Sequence, residues 1–213
     1  MELLTIALAK GRLAECAVEL FEKCGIDCAP LKVETRKLVL HDAQKKYRFI
    51  FVKPSDVPTY IERGVADIGV VGKDTLLEEN KDVYEIADLG FGACRMCVAG
   101  YRQQKGAITN SVLRVASKYE NVAREYYARQ GITVDIIKLN GSVELGPVIG
   151  LSDVIVDIVE SGRTLEANDL SVLEEICKIT ARLVVNKVSM KTRYDEIKPL
   201  TDKIIATVEA GIK

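Results

Sequence analysis

The run Asp153-Val-Ile-Val-Asp157-Ile-Val-Glu160-Ser161-Gly162-Arg163-Thr164-Leu165 joins an apolar stretch to two acids and a turn of small residues. These residue types, in this order, read as a strand that turns directly into a helix. Such a corner exposes backbone N–H groups and the positive end of a helix dipole, a setting suited to phosphate. Gly162 permits close backbone approach, while the hydroxyls of Ser161 and Thr164 and the amides of residues 161–164, Arg163 included, supply donors. Thr164 is also placed to cap the helix. Asp157 and Glu160 diverge if the chain stays extended and converge if it turns. They suit ribose hydroxyls or a hydrated Mg²⁺. Phosphate, sugar and metal in one corner point to a phosphoribosyl ligand; without one, the corner is an ordinary strand–helix junction.

Cations recur at other expected strand ends. Ala9-Lys10-Gly11-Arg12-Leu13 places two around a glycine after the first strand, at the edge where open α/β sheets bind ligands. Arg12 offers a bidentate fork and Lys10 a point charge. Arg36-Lys37 precedes a further expected strand, and Lys53-Pro54-Ser55-Asp56 joins a strand end to a helix start. Each alone reads as a solvated turn; together they describe a polyphosphate pocket. Ala66-Asp67-Ile68-Gly69-Val70-Val71-Gly72 and Asn140-Gly141-Ser142-Val143-Glu144 add glycine-containing segments beside apolar runs, where backbone can approach a ligand. The chain's single histidine, His41, lies among Asp42, Gln44 and Lys45 and has no nucleophile to serve. Serine-hydrolase and metalloprotease motifs are missing.

Strand and helix signals alternate, so the expected class is α/β. Strands are predicted at 4–9, 49–52, 68–71, 96–99, 113–116, 133–139, 154–158 and 183–188. Leu13, Ala17, Leu20, Phe21 and Cys24 share a helical face, ended by Gly25. Ser55 is expected to cap a helix with Pro58 in its first turn and Gly64 at its end, and Ser117 to cap one ending near Gly131. Further helices are predicted at 165–178 and 201–210. The glycines at 90, 92 and 100 bracket an apparent crossing between two halves. Two lobes with a ligand cleft between them are expected: residues 1–91 plus 182–213, and residues 92–181 carrying the phosphate corner.

The composition excludes several classes. The chain has 213 residues and a net charge of −1, with 6% aromatics and no Trp. That is poor material for a broad polyanion surface or a base-stacking platform. No apolar run reaches the roughly 18 residues of a membrane span, and the first residues read as a buried strand, not a signal peptide. Six cysteines (Cys16, Cys24, Cys28, Cys94, Cys97, Cys177) are expected to be reduced cytosolic thiols packed as small hydrophobes. Cys94-Arg-Met-Cys97 matches C-x-x-C without a second pair, on an expected strand whose alternation separates the two.

These pieces resemble the ATP phosphoribosyltransferase family, the first enzymes of histidine biosynthesis. The resemblance rests on residues 9–13, 36–38, 53–60, 64–74, 141–144 and 157–165, in family order along nearly the whole chain. The length is similar to that of the short form, which lacks a C-terminal histidine-binding domain. The resemblance implies a bilobal fold like type II periplasmic binding proteins. It implies phosphoribosyl transfer from phosphoribosyl pyrophosphate to N1 of ATP with Mg²⁺, no metal being ligated directly by the protein. It also implies a homodimer working in the cytoplasm with a histidyl-tRNA-synthetase-like regulatory subunit, as a hetero-octamer. Arg36, Lys53 and Arg12 are then expected to stabilise the leaving pyrophosphate, and Asp157, Glu160, Ser161, Gly162, Arg163 and Thr164 to hold the sugar phosphate. Lys10, Gly11, Asp67, Gly72, Gly141, Ser142 and Glu144 are expected around ATP and pyrophosphate. Some family members carry Arg where this chain has Lys53, which keeps the charge and loses the fork. A ligand-binding module on the same fold, or transfer to another base, remains open at this point.

Overall fold

The structure is a computed structural model that describes residues 3–33, 35–102 and 112–211. In chain order its elements are β1 (Leu4–Ala9), α1 (Arg12–Lys23), β2 (Val39–His41), β3 (Tyr47–Val52), α2 (Val57–Glu62), β4 (Ile68–Gly72), α3 (Lys73–Glu79), β5 (Tyr84–Asp88), β6 (Cys94–Gly100), β7 (Leu113–Ser117), α4 (Glu120–Arg129), β8 (Val134–Lys138), α5 (Leu145–Val148), β9 (Val154–Val159), α6 (Arg163–Glu166), β10 (Ser171–Ile179), β11 (Ala181–Val185), α7 (Lys187–Thr192) and α8 (Tyr194–Gly211). They form two compact units, Met1–Gly92 with Thr180–Lys213, and Ala93–Ile179. The class is α/β, as the alternation predicts.

The first unit holds a sheet ordered β2-β3-β1-β4-β11-β5, with β3 and β4 parallel to β1. All six residues of β1 are buried, because helices cover both faces and leave no polar side for the strand. Leu4, Ile6 and Leu8 join Phe21, Phe49, Ile68, Ile197 and Ile204 on the side of α1 and α8. Ala7 and Ala9 join Ile50, Val57, Ile61 and Val71 on the side of α2. Phe21 and Phe49 meet edge to face with centroids 5.7 Å apart; each such ring contributes about 1.5–3 kcal/mol by burial. The inner strands β1 and β4 are therefore fixed against a packed core.

The second unit holds a sheet ordered β10-β6-β9-β7-β8. β7 runs parallel to both β8 and β9, and β6 is antiparallel to β9 and β10. One face buries Cys97, Ala99, Ala116, Val143, Ile155, Val159, Leu165 and Leu170 as a single cluster. That cluster anchors the loop after β8 through Val143, and the turn after β9 through Val159 and Leu165.

The largest departure from the predicted elements is the helix expected over 165–178. Only one turn forms, α6; Asn168 Nδ2 donates to Thr164 O at 2.8 Å and Asp169 then turns left-handed at φ 58°. The chain continues as β10, paired with β6 from Ser171↔Gly100 to Ile179↔Cys94. Irregularities between Val172 and Glu174 and between Glu175 and Cys177 insert Leu173 and Ile176. Two bulges thus shift the alternation of a strand into an apolar spacing that imitates a helix, and pairing with β6 decides the outcome.

Smaller departures concern caps. A 3-10 turn at Pro54–Asp56 precedes α2, whose N-cap is Asp56; Ser55 instead donates its hydroxyl to Asp56 Oδ1 at 3.3 Å. Ser117 is the last residue of β7, held by both neighbouring strands, and α4 begins three residues later. The strand predicted over 183–188 stops at Val185, because Asn186 caps α7 by accepting from the N–H groups of Val188 and Ser189 at 2.9 and 2.7 Å. The closing helix starts at Tyr194, earlier than predicted, with Pro199 inside it.

Candidate active site

In the first unit, strand register gathers the predicted cations at one rim. Ala9 is level with Val52, and the Lys10 N–H donates to Val52 O at 2.9 Å, so Lys10 and Lys53 leave neighbouring strands together. Ile6 is level with Ile68 on the other side, which brings Gly72, four residues on, to the same end. Arg36 lies three residues before β2, which runs antiparallel to β3 with Val39 opposite Ile50, and this carries it toward Lys53. Arg12 opens α1. Gly11 before it takes φ 101° and ψ −158°, a conformation essentially reserved for glycine. It lets the chain reverse from β1 into the helix without a bulky side chain at the rim. Lys10, Gly11, Arg12, Arg36 and Lys53 are all exposed. Lys10, Arg36 and Lys53 have no ion pair among the described residues, so their charge is available to an anion. Gly72 carries the Asp74 carboxylate over its Cα, where a Cβ would collide with it.

Asp67 does not join this rim. It precedes β4, at the opposite end of the strands, and only 7% of its surface is exposed. Its Oδ2 accepts from the Thr5 N–H at 2.8 Å and from Arg193 Nη1 at 3.1 Å. Arg193 also donates to both carboxylate oxygens of Glu196, at 3.0 and 2.8 Å. Sequence reasoning did not find Arg193, because 126 residues separate the partners and no local pattern links them.

In the second unit, the acid-and-glycine corner forms where β9 ends. Asp157 stays within β9, half-buried, and its Oδ1 accepts from the Ile158 N–H at 2.8 Å. Glu160 and Ser161 are exposed beyond the strand end. Gly162 adopts φ 80° and ψ −3° and occupies the N-cap position of α6, so Thr164 lies inside the turn and is not its cap. Ser161 Oγ accepts from the Arg163 N–H at 3.5 Å, and Leu165, 5% exposed, pins the turn to the core. With only four residues, α6 contributes little macrodipole; the local asset is its first N–H groups, which no intrahelical carbonyl reaches. Loop 140–144 leaves β8 at the same end of the sheet. Gly141 and Ser142 are exposed, Ser142 takes a left-handed φ of 48°, and Glu144 is half-buried before α5. A left-handed serine stores backbone strain of the kind that collects at ligand sites.

The cysteine pair is separated as strand alternation requires: Cys97 is buried and Cys94 half-buried on β6. Burial pushes the Cys97 thiol up and makes it a poor nucleophile. Among the described residues no group of three or more His, Cys, Asp and Glu comes together as a metal cage, and no helix is long and apolar enough to cross a membrane. The acids at the corner, Asp157 and Glu160, are hard oxygen donors, the donor type that suits Mg²⁺ and its water shell.

Comparison with known proteins adds an independent line. A family model described as "HisG: ATP phosphoribosyltransferase" matches residues 53–206. An ATP phosphoribosyltransferase of Ruminiclostridium cellulolyticum is 56% identical over 206 residues, covering 96% of each chain. One of Caldanaerobacter subterraneus subsp. tengcongensis is 55% identical over 212 residues, covering 99% of this chain and all of its own. Among solved structures, a chain of the ATP phosphoribosyl transferase (HisG:HisZ) complex from Thermotoga maritima superposes with a TM-score of 0.83 at 37% identity, over 98% of this chain and 100% of that one.

Proposed function

The chain belongs to the ATP phosphoribosyltransferase family, and from that premise we propose which of its residues perform the reaction. The activity opens histidine biosynthesis by moving phosphoribosyl from phosphoribosyl pyrophosphate to N1 of ATP, with release of pyrophosphate. The fold is the two-sheet type II periplasmic-binding-protein kind. Family membership removes the readings as a simple binding module or as a transferase to another base.

Adenine N1 already carries a lone pair, so no strong base is required. The barrier is breakage of the bond between C1 and pyrophosphate through an oxocarbenium-like state. Negative charge grows on the diphosphate, where fixed cations stabilise it. Arg36, Lys53 and Arg12 take that role, with Lys10 beside them, Gly11 keeping the rim open and Gly72 at the same strand ends. The N–H groups and hydroxyls of residues 161–164, with Arg163, hold the 5′-phosphate. Asp157 and Glu160 hold the ribose hydroxyls and fix C1 for in-line attack; positioning of that kind is worth several kcal/mol. Gly141, Ser142 and Glu144 line the nucleotide. Asp67 belongs to the scaffold. Asp157 and Glu160 would be the residues to hold a hydrated Mg²⁺, which would supply further charge neutralisation.

The observation that carries this reading is the register of β3, β1 and β4, which brings Lys53, Lys10 to Arg12, and Gly72 to one rim. Likeness to the Thermotoga maritima complex supports assembly with a HisZ-type, histidyl-tRNA-synthetase-like regulatory subunit. We place the chain as a homodimer within a hetero-octamer, in the cytoplasm. The test is to mix the purified chain, alone and with that subunit, with ATP, Mg²⁺ and phosphoribosyl pyrophosphate. An N1-ribosylated adenine, seen by its ultraviolet absorbance, is expected; pyrophosphate release without it would overturn the assignment.

A further inference from the structure

In the sheet of the second unit, β7 lies between β8 and β9, so the chain leaving β7 emerges between loop 140–144 and the Gly162 turn. The first residue out is Lys118. Ser117 is level with Val156 and with Lys138, which sets Lys118 level with Asp157 and Leu139. The backbone on both sides of Lys118 is clamped. The fully buried Ser117 hydroxyl donates to Val156 O at 2.6 Å and accepts from the Tyr119 N–H at 2.8 Å. Tyr119 is itself buried, and the Lys118 ammonium stands 5.5 Å from its ring centroid. A cation held over an aromatic face is partly pre-oriented.

Two other cations of this sheet are committed elsewhere. Lys138 pairs with Glu120 at 3.4 Å and Arg95 with Glu175 at 3.2 Å. Lys118 is exposed and has no carboxylate partner among the described residues. A lysine on a clamped backbone, leaving its strand level with Asp157 and next to the strand end that carries the Gly162 turn, offers a point charge to an anion there. We propose that Lys118 is a further substrate-binding residue, whose ammonium binds the 5′-phosphate of the sugar donor together with the Gly162 turn. This rests on the reading of that turn as the 5′-phosphate site.

A charge-assisted contact of this kind is worth roughly tenfold or more in affinity. The test is steady-state kinetics on Lys118→Gln and Lys118→Arg, with pyrophosphate as product inhibitor. Lys118→Gln should raise KM for phosphoribosyl pyrophosphate at least about tenfold, leave KM for ATP and the Ki of pyrophosphate unchanged, and melt like the parent. Lys118→Arg should recover most of the loss. An unchanged donor KM, a rise in the ATP KM alone, or a matching rise in the pyrophosphate Ki would each overturn the proposal; the last would move the lysine to the diphosphate. Gly162→Val, run alongside, separates the two claims. If it leaves donor binding intact, the turn assignment fails; if it abolishes donor binding while Lys118→Gln has no effect, only the lysine assignment fails.

Discussion

The first unit brings side-chain cations to its strand ends, Lys10, Arg12, Arg36 and Lys53, from three separate stretches of chain. The second unit brings main-chain amides from a single turn, residues 161–164. The two solutions fail differently. Cations on flexible stems act in parallel, so removing one leaves the others and the loss is graded. A turn depends on one backbone conformation, and its donors are aligned or lost together. The proposed assignment gives this division a chemical reason: a departing diphosphate needs charge that can follow it, while a 5′-phosphate that stays in place needs a fixed cradle.

The sharpest way to break this contrast is Gly162→Val. Space is not the issue, since a Cβ there would meet only Val159 Cγ1 at 3.9 Å. The left-handed φ is the issue, and a β-branched residue resists it. Saturable binding of phosphoribosyl pyrophosphate should disappear in calorimetry while the fold persists; normal affinity would show that the turn does not hold the phosphate. Arg36→Ala should be milder, lowering turnover by roughly 10²-fold, as loss of one charge-stabilising donor does. Unchanged turnover would remove Arg36 from the mechanism.

Asp67→Ala tests the scaffold rather than the rim. Removing this carboxylate leaves the buried Thr5 N–H without its acceptor while Arg193 keeps Glu196, a cost of about 1–3 kcal/mol, so the melting transition should fall while donor affinity of the folded enzyme is retained. An affinity loss at full stability would return Asp67 to the site. The smallest effect is expected at Asp153, which Arg114 grips at 2.8 Å, holding its carboxyl below the usual range. A depressed carboxyl stabilises the fold fully above its unfolded value, near 3.9, and that stability fades as pH falls through the lower folded value. Asp153→Asn should therefore melt slightly below the parent at pH 7, and the gap should close as pH falls below about 4; a gap of zero at pH 7, or one that does not shrink in acid, would dismiss the pair.

Local signals were legible in the sequence and distant ones were not. β1, β4 and β9 are short apolar runs ended by glycine or charge, and their bounds follow from burial on both faces. The loops at Lys10, Lys53, Gly141 and Gly162 announce themselves because the residues that would touch a ligand are contiguous. The predicted helix over 165–178 fails because two bulges disguise β10 and its partner β6 lies some 80 residues away, as in the Arg95–Glu175 contact. Asp67 reads as a ligand residue from its own neighbourhood, where Arg193 is invisible. Ser55, Ser117 and Thr164 have the right chemistry for caps, but a proline turn, flanking strands and Gly162 respectively take the position.

The most direct test of the central claim is a crystal structure with phosphoribosyl pyrophosphate and Mg²⁺ bound. The 5′-phosphate should accept hydrogen bonds from the backbone amides of residues 161–164, with the diphosphate among Lys10, Arg12, Arg36 and Lys53. A monophosphate found on the cationic rim, with the Gly162 turn empty, would contradict the account.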